Sequence, residues 1–204
     1  MYQKEDCPIC SKKELIPIIY GYPSTELFEE SEKGLVKLGG CCLPYPHYQG
    51  IVYYYCNNCK KEIKMGIKNN NYLFRTLIRG SFSCDHEEDV LILDSKKDNV
   101  ILNPESEFCF KFSLPYEEIQ KIKNILKENP YLLKMKNVPM PDNILDGTCH
   151  EFIIWDNRKL NYIETWNLWG WNKENCTSRN IKILLKVFDE IAKILKKYEI
   201  QLSL

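Results

Sequence analysis

Apolar positions along the chain change period several times, and each change predicts an element. Residues 14–20, ELIPIIY, and 51–55, IVYYY, are β-rich, and 60–65, KKEIKM, reads as a return strand. Between the first two lies 23–34, PSTELFEESEKG. Ser24 is a helix N-cap there, acids fill the first turns and Gly34 is a stop. LVKLGGCC then predicts a short strand running into a Gly-Gly turn. GIKNNNY, residues 66–72, holds Gly and three Asn without periodicity, which marks a linker. Beyond it YLFRTLIRGSF, DVLILDS and NVIL read as strands, and FCFKFS at 108–113 alternates as a strand does.

LPYEEIQKIKNILKENP predicts a helix opened by Pro115 and closed at Asn129-Pro130, with Tyr116, Ile119, Ile122 and Leu126 on its apolar face. CHEFIIW and KLNYIETW flank Asp156-Asn157-Arg158, a hairpin signal. In SRNIKILLKVFDEIAKILKKY, residues Ile181, Leu184, Leu185, Phe188, Ile191 and Leu195 keep helical spacing, so the last helix packs by one face. The expected fold class is α+β. A zinc ribbon with an inserted helix, residues 1–66, precedes an α+β domain, residues 73–204, with an antiparallel sheet and two helices.

Charge narrows the function classes. The 204 residues carry 28 Lys plus Arg against 28 Asp plus Glu, a net charge of zero. Phosphate contacts need surplus positive charge, so nucleic acid is not an expected partner. No run reaches the ~18 apolar residues of a membrane span, and MYQKEDCPIC has no apolar stretch behind it. The expected compartment is the cytoplasm.

Ten cysteines in a reducing compartment point to metal ligands or redox sites rather than disulfides. Cys7-Pro-Ile-Cys10 and Cys56-Asn-Asn-Cys59 are two CxxC pairs with strand flanks. Two intervening residues let both sulfurs turn toward one point, and two such knuckles make a tetrahedral four-sulfur cage suited to Zn(II) or rubredoxin-type iron. Four thiolates leave no open position for water, so the expectation is one structural zinc ion on Cys7, Cys10, Cys56 and Cys59. Lys12, Lys13, Lys60 and Lys61 flank the knuckles and would offset the negative cage. Cys41 and Cys42 lie off the knuckle spacing and are read as buried small residues.

The run CPICSKKELIPIIYGYPSTELFEESEKGLVKLGGCCL…YYYCNNCKKEI resembles an uncharacterised bacterial zinc-ribbon family with the pattern CPxC, PIxYGxPxxEL, LGGC, CxxC. That resemblance covers about the first 65 residues and implies the same four ligands, but no activity. The segment LPYEEIQKIKNILKENPYLL…DNILDGTCHEFIIWDNRKLNYIETWN resembles, more loosely, uncharacterised bacterial α+β domains, and again implies a fold only.

Other candidates are sparse. Four tryptophans, Trp155, Trp166, Trp169 and Trp171, cluster late in the chain. Trp155 and Trp166 are read as packing on the sheet beneath the last helix. Trp169 and Trp171, either side of Gly170, are candidate partner-binding aromatics. The three histidines include His86, beside Cys84, and His150, beside Cys149. Adjacent strand residues face opposite ways, which counts against a Cys149–His150 nucleophile pair. No catalytic residue is assigned. The leading expectation is a non-enzymatic protein that binds an unknown protein partner, as bacterial immunity or regulatory proteins do. An enzyme with a cleft between the modules and a nucleic-acid-binding ribbon are the alternatives.

Overall fold

The structure is a computed structural model. It describes residues 2–44, 51–66, 68, 72–79, 88–95, 97–138, 148–166 and 178–202. The chain divides into two compact units, Met1–Asn70 and Asn71–Leu204.

The first unit contains β1 (Leu15–Ile19), α1 (Thr25–Glu32), β2 (Lys37–Leu38), β3 (Ile51–Cys56) and β4 (Lys61–Gly66), with strand order β2-β1-β3-β4. The Ser24 hydroxyl accepts from the Leu27 N–H at 3.3 Å and caps α1. Gly34 ends the helix at φ 68°, and the N–H groups of Gly34 and Leu35 return to the Ser31 and Glu30 carbonyls. The chain then crosses back, so β2 lies parallel to β1, while β3 is antiparallel to both β1 and β4. Gly39 follows β2 because a Cβ there would sit 2.4 Å from the Tyr20 ring.

The second unit contains β5 (Tyr72–Arg79), β6 (Glu88–Leu93), β7 (Val100–Leu102), β8 (Phe110–Phe112), α2 (Tyr116–Glu128), a 3-10 turn (Pro130–Lys134), β9 (Cys149–Asp156), β10 (Lys159–Trp166) and α3 (Arg179–Lys196). Its strands run β10-β9-β5-β6-β7-β8, every adjacent pair antiparallel. The β9–β10 turn closes on Asn157 at φ 54°, a left-handed conformation that Asn tolerates. α2 and α3 cover the sheet face that carries Phe74, Phe152 and Ile154, and Phe188 meets Phe152 edge-on at 5.9 Å. Tyr116 does not join the buried face of α2; Ile119, Ile122 and Leu126 do.

The expected fold class needs correction. Among the described residues, ten strands and three α-helices give mixed strand pairing in which strand outweighs helix, and the expected zinc ribbon with an inserted helix, followed by an α+β domain, does not describe it. The physical reason is the β1–α1–β2 crossover. Read along the sequence, α1 and β2 look like an insertion between two knuckles. In the fold they are a strand-helix-strand connection, the kind that parallel pairing requires, and β2 extends the sheet beyond β1.

Candidate metal centre

The two CxxC turns have the same backbone form. In each, the N–H four residues after the first cysteine donates to that cysteine's carbonyl: Ser11 to Cys7 at 2.8 Å, Lys60 to Cys56 at 2.9 Å. Both of those donors are held at φ 56°. Each turn also aims an N–H at its first sulfur, Ile9 at Cys7 Sγ (3.4 Å) and Cys59 at Cys56 Sγ (3.5 Å). A left-handed non-glycine residue is unfavourable by roughly 1–2 kcal/mol, and here it recurs at the matching position of both turns. Lys12 Nζ donates to Asn58 Oδ1 at 2.9 Å and ties one knuckle to the other.

The cysteine Sγ atoms of Cys7, Cys10, Cys56 and Cys59 all lie within 4.8 Å of one another, and the group could hold a metal ion. Cys7 and Cys59 are 3.8 Å apart at sulfur, Cys10 and Cys56 3.7 Å. A tetrahedron with metal–sulfur bonds of about 2.3 Å has edges of about 3.8 Å. Two sulfur pairs from opposite knuckles therefore already stand at tetrahedral spacing. The donor set fits a four-coordinate thiolate metal.

The electrostatics fit as well. The backbone N–H of Cys59 pushes the Cys56 thiol down to about 6, with help from the Cys59 side chain and the Asn58 backbone. Burial pushes Cys59 up to about 12, and the neighbouring sulfurs of Cys56 and Cys7 add to that. A negative charge on one sulfur opposes ionisation of the other. A dication at the centre removes that repulsion and lets all four ionise.

The cage also sits within a hydrophobic cluster of its unit. Cys7 and Cys56 are buried with Leu15, Tyr54 and Met65, and Cys10, Val52, Cys59 and Ile63 pack around them. α1 buries no residue. Ile16, Ile18, Val36 and Tyr53 are buried elsewhere in the unit. An apolar core of this size is small, and small folds commonly add a bound metal to it. No protein-family model, curated protein or solved structure matches the chain.

Other singled-out residues fall elsewhere. Cys41 and Cys42 are exposed rather than buried, with sulfurs 3.7 Å apart. Trp169, Trp171, Cys84 and His86 lie outside the described residues. Trp155 is buried, but alternation puts it on the sheet face opposite Phe152 and Ile154, where it packs on Tyr72 at 5.4 Å between ring centroids and not beneath α3. Trp166 Nε1 donates to Glu164 Oε1 at 3.1 Å. Cys149 and His150 point to opposite faces of β9. Burial pushes the Cys149 thiol up to about 12 and His150 down to about 4. Cys149 therefore stays a thiol near neutral pH, and His150 stays a neutral, weak base.

One cluster escaped the sequence reading. On the sheet face that Cys149 and Trp155 share, Arg75 is 1% exposed and meets Asp89 with two hydrogen bonds, one from Nε to Oδ1 at 2.9 Å and one from Nη2 to Oδ2. Arg75 also reaches Glu105 at 3.2 Å, and Arg79 pairs with the buried Glu151 at 3.4 Å. The signal was present as strand parity. Phe74 and Arg75 must face opposite ways, and an arginine inside an apolar strand run calls for a carboxylate on a neighbouring strand.

Proposed function

We propose that Cys7, Cys10, Cys56 and Cys59 hold one structural Zn(II) ion, and that the protein is a non-enzymatic binding protein of a reducing, cytoplasmic compartment. Supporting zinc are the all-thiolate donor set, the tetrahedral sulfur spacing and the absence of an open coordination position in a four-cysteine site.

The observation that carries the binding reading is β8. This strand ends the sheet order of its unit, with Phe110 and Phe112 on it at 55% and 37% exposure and Phe108 just before it at 73%. Soluble proteins protect sheet edges with charge, proline or a cover, and a bare aromatic edge is a template for strand addition. A partner protein would lay an extended apolar segment along β8, taking main-chain hydrogen bonds from the edge that no described strand covers and seating side chains among the phenylalanines. Aromatic anchors of this kind supply most of the energy of many interfaces.

The test is crosslinking in cells that make the protein, comparing the wild-type chain with Phe110→Ser. The reading expects a defined crosslinked species that Phe110→Ser abolishes while thermal stability is kept. An unchanged crosslinking pattern in that variant contradicts it.

A further inference from the structure

The adjacent cysteines after β2 form a second sulfur site, outside the four-cysteine cage. Both Cys41 and Cys42 are exposed, and their sulfurs stand side by side at 3.7 Å. The backbone that presents them is fastened. The Gly21 N–H donates to the Gly40 carbonyl at 2.8 Å, the Gly39 N–H to Ile19 at 2.8 Å, and the Tyr20 ring fills the space beside Gly39. Gly40 turns the chain at φ 87°, a conformation open to glycine.

Neighbouring residues are a poor pair for a disulfide. Their Cα atoms are about 3.8 Å apart across a trans peptide, below the ~4.4 Å at which unstrained bridges begin. A strained bridge is readily reduced, so a reducing compartment keeps both thiols free. What the pair can do without strain is chelate. Two sulfur bonds of about 2.3 Å to one centre span 3.7 Å when the angle at that centre is bent, whereas a linear centre would need roughly 4.6 Å. The spacing selects a thiophilic atom with pyramidal or tetrahedral geometry.

We propose that Cys41 and Cys42 are a solvent-facing dithiol site that takes a trivalent, thiophilic metalloid centre such as arsenic(III), independently of the zinc cage. With an arsenoxide the chemistry balances without electron transfer. Two As–S bonds form, the As–O bonds break, and the oxygen leaves as water with the two thiol protons. Arsenic stays trivalent. The chelate is strong because the second thiol binds at the effective concentration set by its neighbour, which typically contributes a factor on the order of 10² or more.

The test uses the full zinc-loaded chain and phenylarsine oxide, with excess monothiol present. Wild-type protein should take up one equivalent, keep its zinc, and release the arsenical to a small dithiol. Cys41→Ser and Cys42→Ser should each weaken uptake by about 100-fold or more, with zinc content and the urea midpoint unchanged, since both side chains are exposed. Undiminished uptake in either variant overturns the proposal. So does zinc loss in step with arsenical uptake by the wild-type chain, which would place the reagent in the cage. Reversal by monothiol alone also overturns it, because that is the behaviour of a single sulfur contact.

Discussion

Asp89→Asn keeps the shape of the side chain and removes the charge that Arg75 is buried against. Arg75 is 1% exposed and cannot regain hydration when its partner is neutralised. Among the described residues Glu105 is also in reach, 3.2 Å away with a side chain 46% exposed. A pair reached by water in that way contributes under about 1 kcal/mol. Breaking a buried pair from one side costs about 3–5 kcal/mol, and the loss in Asp89→Asn should approach that range.

The assay follows from the sequence. Trp155, Trp166, Trp169 and Trp171 are the four tryptophans and all fall in the second unit, so tryptophan emission during urea unfolding reports that unit. With a slope of roughly 2 kcal/mol per molar urea, the midpoint should fall by roughly 2 M. Replacing both partners, Arg75→Met with Asp89→Leu, should recover most of the loss, because the unpaired charge is gone and apolar volume fills the site. A single-variant loss below about 1 kcal/mol would instead mean that water reaches Arg75. A double variant less stable than Asp89→Asn would show that the site needs the ion pair itself.

His150 gives a pH signature: burial holds its folded value near 4 against 6.5 as the ordinary value. The unfolded chain therefore binds the proton first, so the contribution is intact above about pH 6.5 and is lost as pH falls toward 4, by about 3 kcal/mol in all; His150→Leu should flatten the wild-type slope in that window when urea midpoints are measured against pH. Phe110→Ser, at a half-exposed edge position, should shift the same midpoint by no more than about 0.5 kcal/mol, and a larger loss would show the edge to be packed. Equal numbers of basic and acidic residues predict weak, nonspecific nucleic-acid binding, and a sub-micromolar complex at about 150 mM salt in a filter-binding titration would contradict that.

The cage was legible because its information is local. Two cysteines at CxxC spacing form a turn that already contains its own sulfur-directed N–H, whatever the distant chain does. Ser24 and Gly34 marked the ends of α1 for the same reason. The sheet was harder. Nothing in LVKLGG says that Lys37 pairs in parallel with Ile18, since that register depends on the crossover and on the rest of the sheet. The Gly-Gly pair read as a turn, yet Gly39 is small because of the Tyr20 ring, a contact made by a residue from the other end of the crossover.

Burial of Arg75 was hidden in a run read only as a strand, and Asp89 sits one strand away on β6. Cys41 and Cys42 looked like small core residues by type, whereas their backbone follows the edge strand β2 and leaves both side chains in solvent.

A metal held by the two knuckles would organise the first unit. The most direct test is metal content by mass spectrometry on the purified chain and on Cys56→Ser. The cage predicts one zinc per wild-type chain. It also predicts less than a tenth of that in the variant, whose first unit should unfold while its tryptophan emission stays native. Full zinc in Cys56→Ser, or a wild-type chain that purifies folded and metal-free, would contradict the account.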